Sequence, residues 1–445
     1  MSKSVKSGNG GKRVSVIGMW HLGLVQGVCL SAIGYNVIGI DTDSGRVARL
    51  GKGMLPIYEP GLEELPKRQL KKGELSFTTD FKKGIAGSTF VIVALDTPLK
   101  SDNSPDIGPI MRLVDKAIPH LKDGCMLVIS SQVPVGTCEE IKICIGKKRP
   151  SLDFGMACIP ENLQLGDALS RFKSPDMLII GADSEKDFKA AEDLYRFVES
   201  EIVKVDMKTA EMIKHAINSF LACEISYGNE LGRMCDALGI DEWKIAEAIR
   251  LDPRIGKKAQ LRSGLGFSGG TVARDVKVFQ GVGRKKGVRT PLMDAVMLVN
   301  DQQNSMVTDK LESIFGEIKG LHICVLGLTY KPGTSTIRQS VAIKIIKELS
   351  KKGAHVKAFD PKAKFDKDEA GVEFERTKSA DSAVESCDAI LILTGWPEFN
   401  TLDFANLKKR MQNPIILDPI NLLEDRRMAK LGFSYFGSGR GTSTA

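Results

Sequence analysis

The fold is decided by residues 12–41, KRVSVIGMWHLGLVQGVCLSAIGYNVIGID. Lys12–Gly18 is a short β-branched run that ends at a glycine, which reads as a buried strand. A helical pattern follows from about Leu22 to Ile33, and Gly34-Tyr-Asn turns the chain into a second buried strand, Val37–Ile40, ending in Asp41. Strand, turn, helix and strand, with an acid 23 residues past Gly18, is the pattern of a dinucleotide-binding unit. In such a unit the first glycine permits the tight turn and Gly23 lets helix and strand pack closely. The pyrophosphate sits on the helix N-terminus and Asp41 takes the ribose hydroxyls. An acid there repels a 2′-phosphate, which favours NAD over NADP.

The turn departs from the pattern at its centre. Gly18-Met-Trp20-His21-Leu22-Gly23 carries a tryptophan where a glycine lets the backbone approach phosphates. The segment therefore also reads as a Rossmann-like domain that holds no cofactor.

Composition narrows the class. A chain of 445 residues exceeds one domain, and 42% hydrophobic with 27% charged residues is ordinary for a globular protein. The net charge of +8 is modest, and clusters such as Lys147–Arg149 and Arg284–Lys286 read as solvated faces rather than a nucleic-acid stripe. The nine cysteines are dispersed without a CxxC pair, as expected of reduced intracellular thiols, and no metal-ligand spacing is present. Without an apolar run of about 18 residues, the expectation is a cytoplasmic protein with no membrane span, residues 1–12 forming a loose flexible tail.

Strand and helix continue to alternate. Phe90–Leu95 and Met126–Ser130 read as parallel strands that reach the turns Asp96-Thr97-Pro98 and Ser131–Thr137, the latter containing Gln132. Those turns and Pro160-Glu161-Asn162-Leu163 line one crevice, because ligands of an open parallel sheet bind beyond the strands' carboxyl ends. From Thr209 to Ile249 the period becomes helical, and Glu211–Leu238 forms one long helix that suits both a linker and a dimer surface. On it Lys214 and Asn218 lie one turn apart, and an ammonium beside a carboxamide can bind an alkoxide or carbonyl oxygen. The same spacing also reads as an exposed polar stripe. Beyond it, Gly264–Asp275 (GLGFSGGTVARD) is a glycine-dense loop, either a surface loop or a place where backbone approaches a ligand. The last third starts over, with strands Leu321–Leu326, Val356–Phe359, Ala389–Leu393 and Ile415–Leu417 around a helix at Ser340–Lys352. The fold class is α/β, two doubly wound Rossmann-like domains joined by a long central helical segment. The expected divisions are the tail 1–12, a cofactor domain 13–205, a central segment 206–305 and a C-terminal domain 306–445.

Several stretches in order resemble the UDP-glucose/GDP-mannose dehydrogenase family. They are Pro56–Leu65 (PIYEPGLEEL), Thr97-Pro98, Val133-Pro-Val-Gly-Thr137, Pro160-Glu161, Lys214…Asn218, Asp252-Pro-Arg254-Ile-Gly256 and Gly266-Phe267. Gly327…Tyr330-Lys331…Arg338, Phe359-Asp-Pro361 and Thr394–Phe399 complete them. The resemblance implies oxidation of the C6 alcohol of a nucleotide sugar to a carboxylate with two NAD, by a homodimer that binds no nucleic acid or membrane. It implies that Gly18, Trp20, His21, Leu22, Gly23, Asp41, Thr97 and Gln132 line the NAD site. Glu161 positions or activates water, Lys214 and Asn218 stabilise charge on the C6 oxygen, and Asp275 assists them. Arg254, reaching across the dimer, joins Leu163, Gly266, Phe267, Gly269, Lys331 and Arg338 around the nucleotide sugar.

Five functional positions differ from the family. Its loop GFGGSCFPKD is Gly266-Phe-Ser-Gly-Gly-Thr-Val-Ala-Arg-Asp275, so the nucleophilic cysteine falls on Thr271 and the lysine on Arg274. A threonine hydroxyl needs a base before it attacks an aldehyde. Gln132 replaces a threonine, Ile420 replaces the arginine of a DGRN stretch, and Trp20 replaces the central glycine of the phosphate loop. Three readings stay open: the full oxidation to a uronic acid, a single oxidation that stops at an aldehyde or keto sugar, and a sugar-nucleotide-binding regulator without turnover.

Overall fold

The computed structural model describes residues 11–98, 100, 105–161, 163–268, 270–365, 371 and 373–441. The chain divides into two compact units, Met1–Ala216 and Ile217–Ala445. Most of the expected tail, together with Asn162 and Gly269, lies outside the described residues.

The first unit is built on eight strands: β1 (Arg13–Ile17), β2 (Asn36–Ile40), β3 (Leu75–Thr78), β4 (Phe90–Val93), β5 (Cys125–Ile129), β6 (Phe154–Cys158), β7 (Met177–Ala182) and β8 (Glu201–Val205). Their order is β3-β2-β1-β4-β5-β6-β7-β8, so the chain reverses its winding between β1 and β4. Strands β3 to β6 in that order are parallel, whereas β7 pairs with β6 antiparallel through Ala157↔Ala182 and Cys158↔Gly181. The β-branched runs are explained by burial on both faces: Val14, Val16 and Ile17 of β1 and the whole of β4 and β5 are inaccessible. Each such side chain contributes about 1.5–3 kcal/mol on burial.

The helix Leu22–Ala32 packs on β1 and β2 with an almost wholly buried surface. Gly18 turns the chain out of β1 with φ of +97°, and a Cβ on Gly23 would stand 1.9 Å from the Gly18 carbonyl oxygen. Only glycine lets the helix sit this close to the turn beneath it.

The second unit begins inside the long helix Met207–Leu238. Helices Glu242–Ile249, Val272–Lys285 and Pro291–Phe315 follow. A six-stranded parallel sheet then forms from β9 (His322–Leu326), β10 (His355–Phe359), β11 (Glu375–Arg376), β12 (Ala389–Ile392), β13 (Ile415–Asp418) and β14 (Ser434–Gly437). Its order is β11-β10-β9-β12-β13-β14, the same reversal about a first strand. Helix Val341–Lys351 lays Ala342, Ile345, Ile346 and Leu349 into the core with Val325, Ala358 and Leu391. A helix starts at Val272, inside the stretch Gly264–Asp275 that reads as loop in the sequence.

The closeness at the first turn predicts that Gly23→Ala destabilises the first unit by about 2–4 kcal/mol, because the added carbon must displace backbone rather than a side-chain tip. Chemical denaturation followed by a probe in that unit measures it.

Candidate active site

At the switch between β1 and β4, no side chain caps the helix Leu22–Ala32 and its first turn carries no acid. Its first N–H groups therefore face outward beside the carboxyl ends of the strands, where an anion is favoured. Asp41 leaves β2 buried. Its Oδ2 accepts the Met19 N–H at 2.8 Å and the Arg46 guanidinium at 2.8 Å, and its Oδ1 accepts the Asp43 N–H at 2.9 Å. The residues present fit a dinucleotide: a close-packed turn, an uncapped helix start and an acid held at the end of the second strand. Trp20 is half-buried, edge-on to His21 at 6.3 Å.

His21 is buried and turns away to bond Glu59, Nε2 to Oε2 at 2.9 Å. Glu59 also accepts the N–H groups of Gly166 at 2.9 Å and Ala168 at 2.8 Å. Burial opposes its charge, yet these donors together hold the carboxyl below the usual range. Nearby, the Thr97 hydroxyl donates to the Gln132 carbonyl, joining the turns that follow β4 and β5.

Glu161 leaves the end of β6. Burial pushes its carboxyl up to about 8, against the opposing pull of Lys214 and the Leu163 N–H, and the Asp96 charge adds to the rise. Tyr195 also faces it and is pushed up by burial and then by the Glu161 charge. Leu163 packs against the apolar core of this unit. Lys214 is buried in the second turn of the long helix, between two residues that fasten this helix to the Val133–Thr137 turn. Glu211 accepts the N–H groups of Gly136 at 2.5 Å and Cys138 at 2.7 Å, and His215 bonds the Val133 carbonyl at 2.8 Å.

In the second unit Asn218, one helical turn beyond Lys214, donates to Asp275, which is wholly buried. Arg274 lies 3.5 Å from the other Asp275 oxygen. Thr271 precedes the helix Val272–Lys285 without a side-chain capping bond, and its carbonyl accepts the Asp275 N–H at 3.1 Å. The segment before it is held by buried carboxamides. Asn229 accepts the Gly264 N–H at 2.8 Å, and Gln303 donates to the Gly264 carbonyl at 2.6 Å. Asn300 both accepts the Phe267 N–H at 2.8 Å and donates to its carbonyl at 3.1 Å, while Gly266 takes a left-handed φ of +80° between them. Arg254, by contrast, is 87% exposed and pairs with Asp252 at 2.6 Å. Lys331 and Arg338 follow β9 in a turn whose root, Leu328–Thr329, is bonded to Asp360. Ile420 packs among apolar side chains behind the Asp418–Asn421 turn.

Three family models of one family cover the chain in succession: the NAD binding domain of the UDP-glucose/GDP-mannose dehydrogenase family over residues 12–199, its central domain over 208–302 and its UDP binding domain over 324–425. The chain belongs to the UDP-glucose/GDP-mannose dehydrogenase family. Among its relatives, UDP-glucose 6-dehydrogenase TuaD of Bacillus subtilis is 34% identical over 431 residues, 96% of this chain and 93% of that protein. The structure of a UDP-glucose dehydrogenase from Pyrobaculum islandicum is 30% identical with a TM-score of 0.89, covering 98% and 99% of the two chains. That of UDP-D-ManNAc dehydrogenase from Pyrococcus horikoshii is 27% identical with a TM-score of 0.84, covering 96% and 99%. Membership makes this chain an NAD-dependent nucleotide-sugar dehydrogenase with a fold of two Rossmann-like domains. No described helix is long and apolar enough to cross a membrane.

Within this family frame, several residues escape a reading by pattern. Arg46 is a surface-type residue in sequence, yet it closes on Asp41. Glu211 and His215 sit on the face of the long helix next to Lys214, and their partners are backbone atoms some 75 positions away. Asn300 and Gln303 fall in a helix whose period shows only amphipathicity.

Glu161 sets a sign for pH. Its folded value of about 8 lies above the ordinary carboxyl value of 4.5, so the native state keeps a proton that the unfolded chain has lost. Stability therefore falls as pH rises between those values and is flat above them. Glu161→Gln is expected to raise the melting temperature more at pH 8 than at pH 5 while lowering turnover.

Proposed function

We propose that the chain oxidises the C6 hydroxyl of a UDP-hexose, UDP-glucose or a UDP-N-acetylhexosamine, to the uronic acid, and so supplies precursors of cell-surface polysaccharide. Relatives named as UDP-glucose and UDP-ManNAc dehydrogenases support this choice of substrate. The observation that carries the catalytic reading is the Asn218–Asp275 bond, both groups buried, with the Lys214 ammonium one helical turn away. A buried carboxylate accepting from a carboxamide orients the amide and leaves its second N–H to donate.

In this reading Lys214 and Asn218 donate to the C6 oxygen as negative charge develops there. Asp275 orients Asn218, and Glu161 exchanges a proton as water adds to the aldehyde. NAD, when bound, accepts the hydride from C6. Gly18, Gly23 and the start of the first helix would hold its pyrophosphate, Asp41 and Arg46 its ribose, and Thr97 and Gln132 its far end, with Trp20, His21 and Leu22 shaping the turn. Thr271 stands where the resembled loop carries cysteine, so no thiolate is available at that position. Leu163, Gly266, Phe267, Gly269, Lys331 and Arg338 take the sugar nucleotide. The division at 13–205, 206–305 and 306–445 assigns cofactor, central and nucleotide-sugar roles.

Incubation with NAD and a panel of UDP- and GDP-sugars tests the assignment, with NADH followed by absorbance and product by mass spectrometry. Two NADH per uronic acid are expected, and Lys214→Ala is expected to lower kcat by about 10²–10³-fold. One NADH per aldehyde would favour the single oxidation. Binding of a UDP-sugar with no NADH would leave a regulator.

The same reading makes the protein a homodimer through the long helix. Phe220, Tyr227, Met234 and Leu238 each expose more than half of their surface and follow one another at seven, seven and four positions, which places them in one stripe. Arg254 would then serve the partner's site, in keeping with its exposure. Light scattering is expected to give twice the chain mass for the wild type, and the single chain mass for Phe220→Asp/Tyr227→Asp.

A further inference from the structure

Asp96 stands next to the proposed chemistry without a role. It follows β4 as Glu161 follows β6, and these strands flank β5 in one parallel run of the sheet. Neighbouring strands lie about 4.8 Å apart, so with β5 between them the backbones of β4 and β6 run about 10 Å apart.

The backbone on both sides of Asp96 is pinned. The Leu95 N–H donates to the Ser131 hydroxyl at 2.9 Å, and the Thr97 hydroxyl donates to the Gln132 carbonyl. Asp96 itself keeps Oδ2 buried with no hydrogen-bond partner. A buried carboxylate oxygen without a donor is costly in a purely structural position. It fits a position that receives a proton-bearing ligand. Its charge also acts on Glu161, with Lys214 opposing it from the long helix and Tyr195 facing from another side.

We propose that Asp96 is a further catalytic residue, the base that works opposite Glu161 to add water to the C6 aldehyde, so that the second oxidation starts from a gem-diol and not from a bond to a side chain. The water oxygen bonds to C6 as the carbonyl π bond breaks. One water proton passes to Asp96 Oδ2, and the Glu161 proton passes to the former carbonyl oxygen. Nothing is oxidised or reduced in this step, and its net effect on the protein is one proton moved from Glu161 to Asp96, returned through solvent. The gem-diol then loses hydride and protons to give the carboxylate, the oxidant being the NAD of the family reaction. The inference rests on the proposed C6 oxidation and explains how that oxidation completes with Thr271 in the loop.

The test uses the full-length protein with UDP-glucose, a UDP-N-acetylhexosamine and excess NAD, counting NADH per sugar and trapping aldehyde with hydroxylamine. Wild type and Thr271→Ala are expected to form two NADH per sugar. Asp96→Asn is expected to form the first NADH at a rate near wild type, which also reports intact folding, and to slow the second by ~100-fold or more while aldehyde oxime accumulates. In Asp96→Ala, added formate is expected to restore the second step, a rescue that a packing role would not produce. Two NADH at the wild-type rate from Asp96→Asn, or loss of the second step in Thr271→Ala alone, overturns the inference and leaves the dehydrogenase reading standing. A wild type that stops at one NADH also overturns it. No NADH from wild type with either sugar sinks the proposed substrate reading and this inference with it.

Discussion

The carbonyl of Gly18 lies directly beneath Gly23, nearer than any side-chain carbon could tolerate. That approach holds the first helix against the end of β1 and leaves its N-terminal amides bare at the carboxyl edge of the sheet. Everything the first unit offers a ligand follows from this one packing constraint. Asp41 reaches back from β2 to take the Met19 amide, which fixes the turn, and Arg46 closes over it from the next helix. The absence of a central glycine does not disturb this geometry, because Trp20 keeps part of its surface outside the packed turn.

Buried carboxylates do different work according to how many donors they find. Glu59 finds three, from His21, Gly166 and Ala168, and stays charged while tying the phosphate turn to a distant loop. Glu211 finds two backbone amides, and burial still wins, raising its pKa. Asp418 is pushed up to about 6 by burial despite bonds from Leu423 and Tyr435. Glu161 has a single backbone donor, one lysine in its favour and one aspartate against it, and it ends near 8. The carboxyl with the least support is the one poised to exchange a proton near neutral pH. The others hold loops in place.

The second unit uses neutral groups for the same task. Asn229, Asn300 and Gln303 satisfy both backbone atoms of Gly264 and of Phe267, so a glycine-rich segment is held by carboxamides as well as by the buried side chains of Leu265 and Phe267. Carboxamides suit this because each carries a donor and an acceptor and cannot change charge. Buried carboxamide bonds of this kind help to specify one conformation.

Local pattern was enough to find β1, the first helix and β2, since a buried β-branched run, a helical period and a glycine turn act within thirty residues. The restart at β9 was visible for the same reason. Lys214 and Asn218 were placed together by helical spacing, which needs no tertiary information. The antiparallel pairing of β7 with β6 was not legible, because a strand buried on both faces shows no direction in its side chains. The helix start at Val272, inside the stretch read as loop, was hidden too, since Thr271 makes no side-chain cap there. The partners of Glu211, Asn300 and Gln303 are backbone atoms of remote loops, which carry no residue identity for a sequence to display. The sequence by itself determined where polar groups stand along each helix and strand. Only the tertiary structure decided which of them meet and which carboxyl is left short of donors, because burial and hydrogen bonding across the fold set those energies.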